Sequence, residues 1–243
     1  MGVGPEEPRL YTVGVVILLT QVSISALNDW ADRAADSATG RWRPIAMGRI
    51  TPGLALGIAV LAAAGALLGT LPFRLAAIVT LIGGLAAGWA YDLWLKPTRF
   101  SFLPFAMAFP LLVVWVALVA GRSVVEFAYL LAGGAVMAVG IHLADSLPDL
   151  ELDRAAGLRS LAVRLGRDRT IETTLGCLFG GAMIASATLA SRTLLFWPLA
   201  LTVIAGTATA GVLARRRPDM TRWAASGLVI VVALFVIRAT PHG

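Results

Sequence analysis

Residues 10–36 read LYTVGVVILLTQVSISALNDWADRAAD. The stretch 10–27 carries no charged side chain, and it has the length that crosses a hydrocarbon core of about 30 Å. Directly after it come Asn28, Asp29, Asp32 and Asp36. An uncharged run of this length must satisfy its backbone internally inside a bilayer, so it predicts a helix. The acids at its end then stand at one membrane boundary.

The same pattern recurs along the chain. Apolar runs cover 10–27, 51–71, 75–91, 101–119, 126–144, 173–191, 194–213 and 221–237. They predict an all-α polytopic membrane protein of about eight transmembrane helices. Composition agrees: 58% of the 243 residues are hydrophobic and 14% are charged. A soluble domain carries about 25% charge. An outer-membrane barrel would show shorter alternating segments. The first run reads as a retained helix rather than a secretory signal, because acidic residues precede it and no small-residue cleavage site follows.

The net charge of +6 does not point to nucleic acid, because the basic residues are sorted by topology. Fifteen of the 20 Lys and Arg fall on the face that carries the loops after spans one, three, five and seven, counting Arg222 at the start of span eight. The positive-inside rule places that face in the cytoplasm and predicts a multi-pass protein of the inner (cytoplasmic) membrane. The single cysteine, Cys177, lies within an apolar run and reads as a small core residue. Asp32-Arg33-Ala34-Ala35 after span one is repeated as Asp153-Arg154-Ala155-Ala156 after span five. This predicts one domain over 1–243, built from two four-helix repeats at about 10–119 and 126–237.

Two clusters carry the chemistry. If the first helix continues past residue 27, Asn28, Asp32 and Asp36 share one face, because positions four apart are neighbours on a helix. Stacked like charges are destabilising unless compensated. A divalent cation compensates them, and an all-oxygen donor set suits Mg2+. The second cluster, Asp145, Asp149 and Asp153, repeats the spacing of four at the corresponding end of span five. Cations lie near both: Arg41 and Arg43 after the first, Arg154, Arg159 and Arg164 after the second, and Lys96 in the third loop of the same face. Carboxylate, magnesium, phosphate and arginine together describe a bound polyanion. Trp30, Trp42, Trp89 and Trp94 read mainly as interfacial anchors, with a cavity lining as the alternative. His142 reads as a satisfied helix residue rather than a base, and no convincing general base stands out.

At these residues the chain resembles the UbiA superfamily of intramembrane prenyltransferases. Asn28, Asp29, Asp32 and Asp36 match that family's first motif, Asn-Asp-x-x-Asp-x-x-x-Asp, and Asp149 and Asp153 match its second, Asp-x-x-x-Asp, with Asp145 one turn earlier. Arg43-Pro44 and the pair Tyr91 and Lys96 match further family positions. The resemblance implies a helical bundle around a central cavity. One apolar span precedes the first motif here, where the family has two. It also implies Mg2+ as cofactor and transfer of a prenyl group from a prenyl diphosphate to an aromatic or other lipid-soluble acceptor in the membrane, with no nucleic-acid partner. The implied metal ligands are Asn28, Asp29, Asp32, Asp36, Asp145, Asp149 and Asp153. Arg43, Lys96 and Arg159 would bind the diphosphate, and Tyr91 and Lys96 would act at the reacting centre. The active site is expected to open on the cytoplasmic face. A terpene cyclase using the same ionisation is the alternative enzyme. A transporter is disfavoured, because transporter acids lie near the bilayer midplane, often at broken helices. Spans four to eight have no mid-span carboxylate. A non-catalytic member of the family is the remaining alternative.

Overall fold

The computed structural model describes residues 7–39, 42–187 and 193–239. Arg41 and the end of the sixth predicted span lie outside them. The described residues form helices joined by turns and short irregular segments, with no strand among them. The helices are α1 (Glu7–Thr39), α2 (Pro52–Thr70), α3 (Leu75–Ala90), α4 (Leu103–Val119), α5 (Ala128–Ser146), α6 (Leu150–Ala155), α7 (Leu161–Leu165), α8 (Arg167–Ser186), α9 (Thr193–Arg216) and α10 (Pro218–Ala239). A π-helical turn, Tyr91–Leu95, extends α3, and a 3-10 turn, Val124–Phe127, leads into α5.

Six of these helices are long and apolar enough to cross a membrane. They are α1, α2, α3 with its π turn, α5, α9 and α10. The other two predicted spans correspond to α4, an apolar helix of 17 residues, and α8, whose first turn is charged. The protein is therefore a multi-pass membrane protein, and about eight spanning segments describes it to within those two. α3 runs four residues further than its apolar run, because the π turn carries the helix on to Leu95 before Pro97.

The chain forms two compact units. One comprises residues up to 95 together with 114–123; the other comprises 96–113 and 124–243. In the first, Val16, Ala63, Ala66, Ala77, Leu81, Leu85, Trp115 and Val119 form the core. Small residues let the helices approach, as they do between membrane helices where lipid removes the hydrophobic drive. The buried face of α2 is Ala55, Ala59, Ala62, Ala63, Ala66 and Thr70. Val16 of α1 sits over Gly69, and Ile24 sits over Gly88 of α3. α2 starts cleanly: Pro52 occupies the first turn and the Thr51 hydroxyl accepts the Leu54 N–H at 3.2 Å.

In the second unit α5 and α8 are in backbone contact. A Cβ on Gly133 would lie 2.3 Å from the Gly181 carbonyl oxygen, and one on Gly181 would lie 2.6 Å from the Gly133 carbonyl oxygen. Around them pack Leu130, Met137, Leu178, Ala182, Ala185, Leu199 and Val203. Cys177 is half-buried against Gly140, consistent with a small core residue. The core continues under the polar end as Leu143, Leu150 and Ala162.

Candidate active site

α1 does continue past its apolar run. It is unbroken from Glu7 to Thr39, so Asn28, Asp32 and Asp36 fall on one face. Asp36 is buried, and Asn28, Asp29 and Asp32 are half-buried. Asp29 lies 3.5 Å from the Arg43 guanidinium, so the first motif and its following arginine meet. Arg33 turns back onto its own helix, donating to the Trp30 carbonyl at 2.6 Å and stacking on the indole.

Asn28 reveals a residue the sequence reading did not single out. Its amide nitrogen donates to Asp92 Oδ1 at 2.9 Å. Asp92 is 7% exposed and lies in the π turn, directly after Tyr91. Short π-helical segments are frequent at functional positions. The only sequence signal was a carboxylate next to Tyr91 at the end of an apolar run. Tyr91 opens the π turn and is half-buried, as is Lys96 just beyond it.

The second cluster is built differently. α5 ends at Ser146, Pro148 lies in the turn that follows, and α6 begins at Leu150. Asp145 is on α5, Asp149 is the residue before α6, and Asp153 lies within α6, where its N–H donates to the Asp149 carbonyl at 2.8 Å. The spacing of four therefore crosses a helix break. Asp145 is paired with Arg222 of α10 at 3.2 Å. Arg222 is a second residue missed from sequence, where it registered only as one more basic residue on its face. Arg154 is held by Glu151 at 2.9 Å, whereas Arg159 is exposed and its N–H donates to the Pro97 carbonyl at 3.0 Å. The residue after Lys96 and the residue Arg159 are thus in direct backbone contact.

Among the described residues no three His, Cys, Asp or Glu side chains are gathered closely enough to hold a metal by themselves. Mg2+ does not require this, because it usually binds through one or two carboxylates and completes its octahedron with water and substrate phosphates. The oxygen-only set on α1, with Asn28 oriented through its nitrogen so that its carbonyl oxygen is left for a ligand, fits that ion. His142 is buried and bonded to Ser101, as expected of a satisfied histidine. Trp42 and Trp94 are exposed, in keeping with interfacial anchors, while Trp89 donates to the Ser23 hydroxyl at 3.1 Å inside its unit.

The sequence pattern of the UbiA prenyltransferase family matches residues 2–236. This chain belongs to that family. UbiA homologues are also its structural neighbours. One from Aeropyrum pernix K1, in its apo form, superposes with a TM-score of 0.79 at 17% identity, covering 95% of this chain and 89% of the other. One from Archaeoglobus fulgidus, bound to GPP and Mg2+, superposes with a TM-score of 0.74 at 14% identity, covering 96% and 87%. At such identities the likeness establishes the fold. A lycopene elongase/hydratase of Halobacterium salinarum is 44% identical over 45 residues, a stretch that covers 18% of this chain and 16% of that protein.

Proposed function

We propose that this UbiA-family protein transfers a prenyl group from a prenyl diphosphate to a lipid-soluble acceptor within the membrane, with Mg2+ as cofactor. The observation that carries the reading is the unbroken α1, which sets Asn28, Asp32 and Asp36 on one oxygen-bearing face. The A. fulgidus homologue bound to GPP and Mg2+ supports it. Asn28, Asp29, Asp32, Asp36, Asp145, Asp149 and Asp153 are the proposed metal ligands. Bound there, Mg2+ would neutralise the diphosphate and make it a better leaving group.

The chain's own groups supply the rest. Arg43, Lys96 and Arg159 offer charge-assisted hydrogen bonds to phosphate oxygens. These bonds strengthen as the bond between the allylic carbon and its bridging oxygen breaks and the electron pair leaves with the diphosphate. Tyr91 opens the π turn that leads to Lys96 and is proposed to stabilise the electron-poor allylic carbon. Apolar helices exclude water, which would otherwise capture that carbon. The acceptor's electron pair then forms the new bond, and the acceptor loses a proton.

His142 is engaged in the interior and is not placed as a base. An acceptor with a nucleophilic double bond is consistent with this, and the partial likeness to a lycopene elongase/hydratase makes an apolar polyene the first acceptor to try beside an aromatic one. Self-attack by the prenyl chain, giving a cyclic product, is the alternative outcome of the same ionisation.

The test is Mg2+-dependent diphosphate release from prenyl diphosphates of several lengths, with and without acceptor, using wild type, Asp32→Ala and Asp149→Ala. Release that needs Mg2+ and both aspartates supports the reading, and the products distinguish transfer from cyclisation. No release at any chain length from a folded protein would overturn it.

A further inference from the structure

Two loops bear the candidate diphosphate-binding cations of the second unit: 96–101, which starts with Lys96, and 157–166, which contains Arg159. Two hydrogen bonds tie them to each other, and a third, with a ring contact behind it, ties them to α5. The Arg159 N–H donates to the Pro97 carbonyl at 3.0 Å. The Leu161 N–H donates to Ser101 Oγ at 3.3 Å. His142 Nε2 lies 3.0 Å from the same Ser101 Oγ. Phe105, on the first turn of α4, stacks on the imidazole with centroids 4.5 Å apart. Ser101 and His142 are both fully buried.

We propose that His142, acting through Ser101, is a positioning residue that holds the Lys96 and Arg159 loops in register for the substrate diphosphate. This rests on the diphosphate-binding reading above. The geometry is specific in what it grips. A serine hydroxyl has one proton and two lone pairs. One lone pair takes the Leu161 N–H, and the proton is available to Nε2 in the tautomer that carries its own proton on Nδ1. The hydroxyl thereby bridges a membrane helix to a loop backbone two residues from Arg159. The Pro97 carbonyl makes the second tie, one residue from Lys96.

Simple packing does not account for this arrangement. A buried polar pair is costly unless each member is bonded, and an apolar pair of the same volume would fill the space with no such liability. What the polar pair adds is direction, since both loop ties flank a cation. The loop they hold is bounded by Gly157 at φ +75° and Gly166 at φ +76°, left-handed positions that favour glycine. The segment between them has little regular structure beyond the five-residue α7 to fix it. The Ser160 hydroxyl caps α7 by accepting the Val163 N–H at 3.4 Å, and the Thr170 hydroxyl donates to the Ala162 carbonyl at 3.1 Å. These contacts fix the far side of the loop, while the Ser101 bond fixes the side that bears Arg159.

The experiment uses full-length protein in lipid with His142→Leu, His142→Gln and Ser101→Ala, each also combined with Arg159→Ala. Leucine keeps the packing against Phe105, and glutamine can restore a bond to Ser101. His142→Leu and Ser101→Ala are expected to raise the KM for prenyl diphosphate about tenfold, the scale of one lost buried hydrogen bond. kcat should fall as well, because the bonds from Lys96 and Arg159 strengthen as the diphosphate leaves, while the KM for acceptor should stay within about twofold. His142→Gln should recover most of the loss, and the substitutions should add little once Arg159 is already alanine. Hydrogen exchange supplies a readout free of turnover: the 157–165 amides should exchange faster in His142→Leu, while those of α9 and α10 do not. An unchanged KM in variants of an active wild type would overturn the inference alone, as would full additivity with Arg159→Ala. Wild type that neither binds nor turns over prenyl diphosphate would overturn the functional reading, and this inference with it.

Discussion

Replacing Gly133 by alanine tests the backbone contact between α5 and α8 directly. The added methyl carbon would sit 2.3 Å from the Gly181 carbonyl oxygen, 2.6 Å from the Ala185 nitrogen and 2.8 Å from the Ala185 Cβ. Two of these three neighbours are backbone, so no side chain can rotate away. Relief needs the helices to part by roughly 1 Å, a gap that forfeits a quarter to a half of the dispersion energy of the contacts it opens. Overpacking of this kind costs about 1–3 kcal/mol, and rigid neighbours favour the upper end. The structure also grades the effect. Gly181→Ala meets the Gly133 carbonyl oxygen at 2.6 Å and should cost nearly as much, whereas Gly140→Ala meets its nearest neighbour at 3.1 Å and should cost well under half. Gly180 has open space, so alanine there should stabilise the helix by roughly 0.5–1 kcal/mol. The assay is the temperature at which each variant, in one detergent, loses its monodisperse peak after heating. Midpoints should fall in the order Gly180→Ala, wild type, Gly140→Ala, Gly181→Ala, Gly133→Ala. A Gly133→Ala midpoint equal to wild type would refute the packing argument.

Asp92→Ala removes the acceptor that orients the Asn28 amide, and the Mg2+ concentration for half-maximal activity should rise about tenfold or more, as when outer-sphere ligands are lost. An unchanged Mg2+ dependence in a folded variant would show that Asn28 needs no such support. Arg222→Ala should cost less than about 1 kcal/mol in thermal stability, because both partners of its ion pair with Asp145 are half exposed. A larger loss would mean the pair is structural. Arg43→Ala should raise the KM for prenyl diphosphate while leaving the heating midpoint within experimental scatter, since its contact with Asp29 is long and exposed. Measuring both quantities on one preparation checks it.

Much of this architecture was legible because bilayer length and backbone satisfaction leave few alternatives. Among the described residues each predicted run falls on a helix. The two largest differences are α1, which continues twelve residues past its apolar run to Thr39, and α8, which begins six residues early at Arg167. Its polar first turn does not look apolar, but it is tied down by Gly166 and by the Arg167 contact with the Ala214 carbonyl. The continuation of α1 through its acids followed from spacing, since Asn28, Asp32 and Asp36 repeat at helical period. The same spacing misleads at the second cluster, where Pro148 interrupts the helix between Asp145 and Asp149. What sequence could not supply were partners chosen by tertiary packing. Asn28 and Asp92 are 64 residues apart, and Asp145 and Arg222 are 77 apart. The π turn was also hidden, because an inserted residue leaves no compositional mark.

The length of α1 has a kinetic consequence. At 33 residues it rises about 50 Å, well beyond a hydrocarbon core of about 30 Å. Its acids follow the apolar stretch and so stand where lipid gives way to water. A molecule with a charged head and an isoprenoid tail adopts that same orientation in a bilayer, so under the proposed function the substrate would reach the acids by lateral diffusion in two dimensions. On this view the rate follows the mole fraction of substrate in the lipid phase. Adding inert lipid at constant bulk substrate should slow the reaction by surface dilution alone.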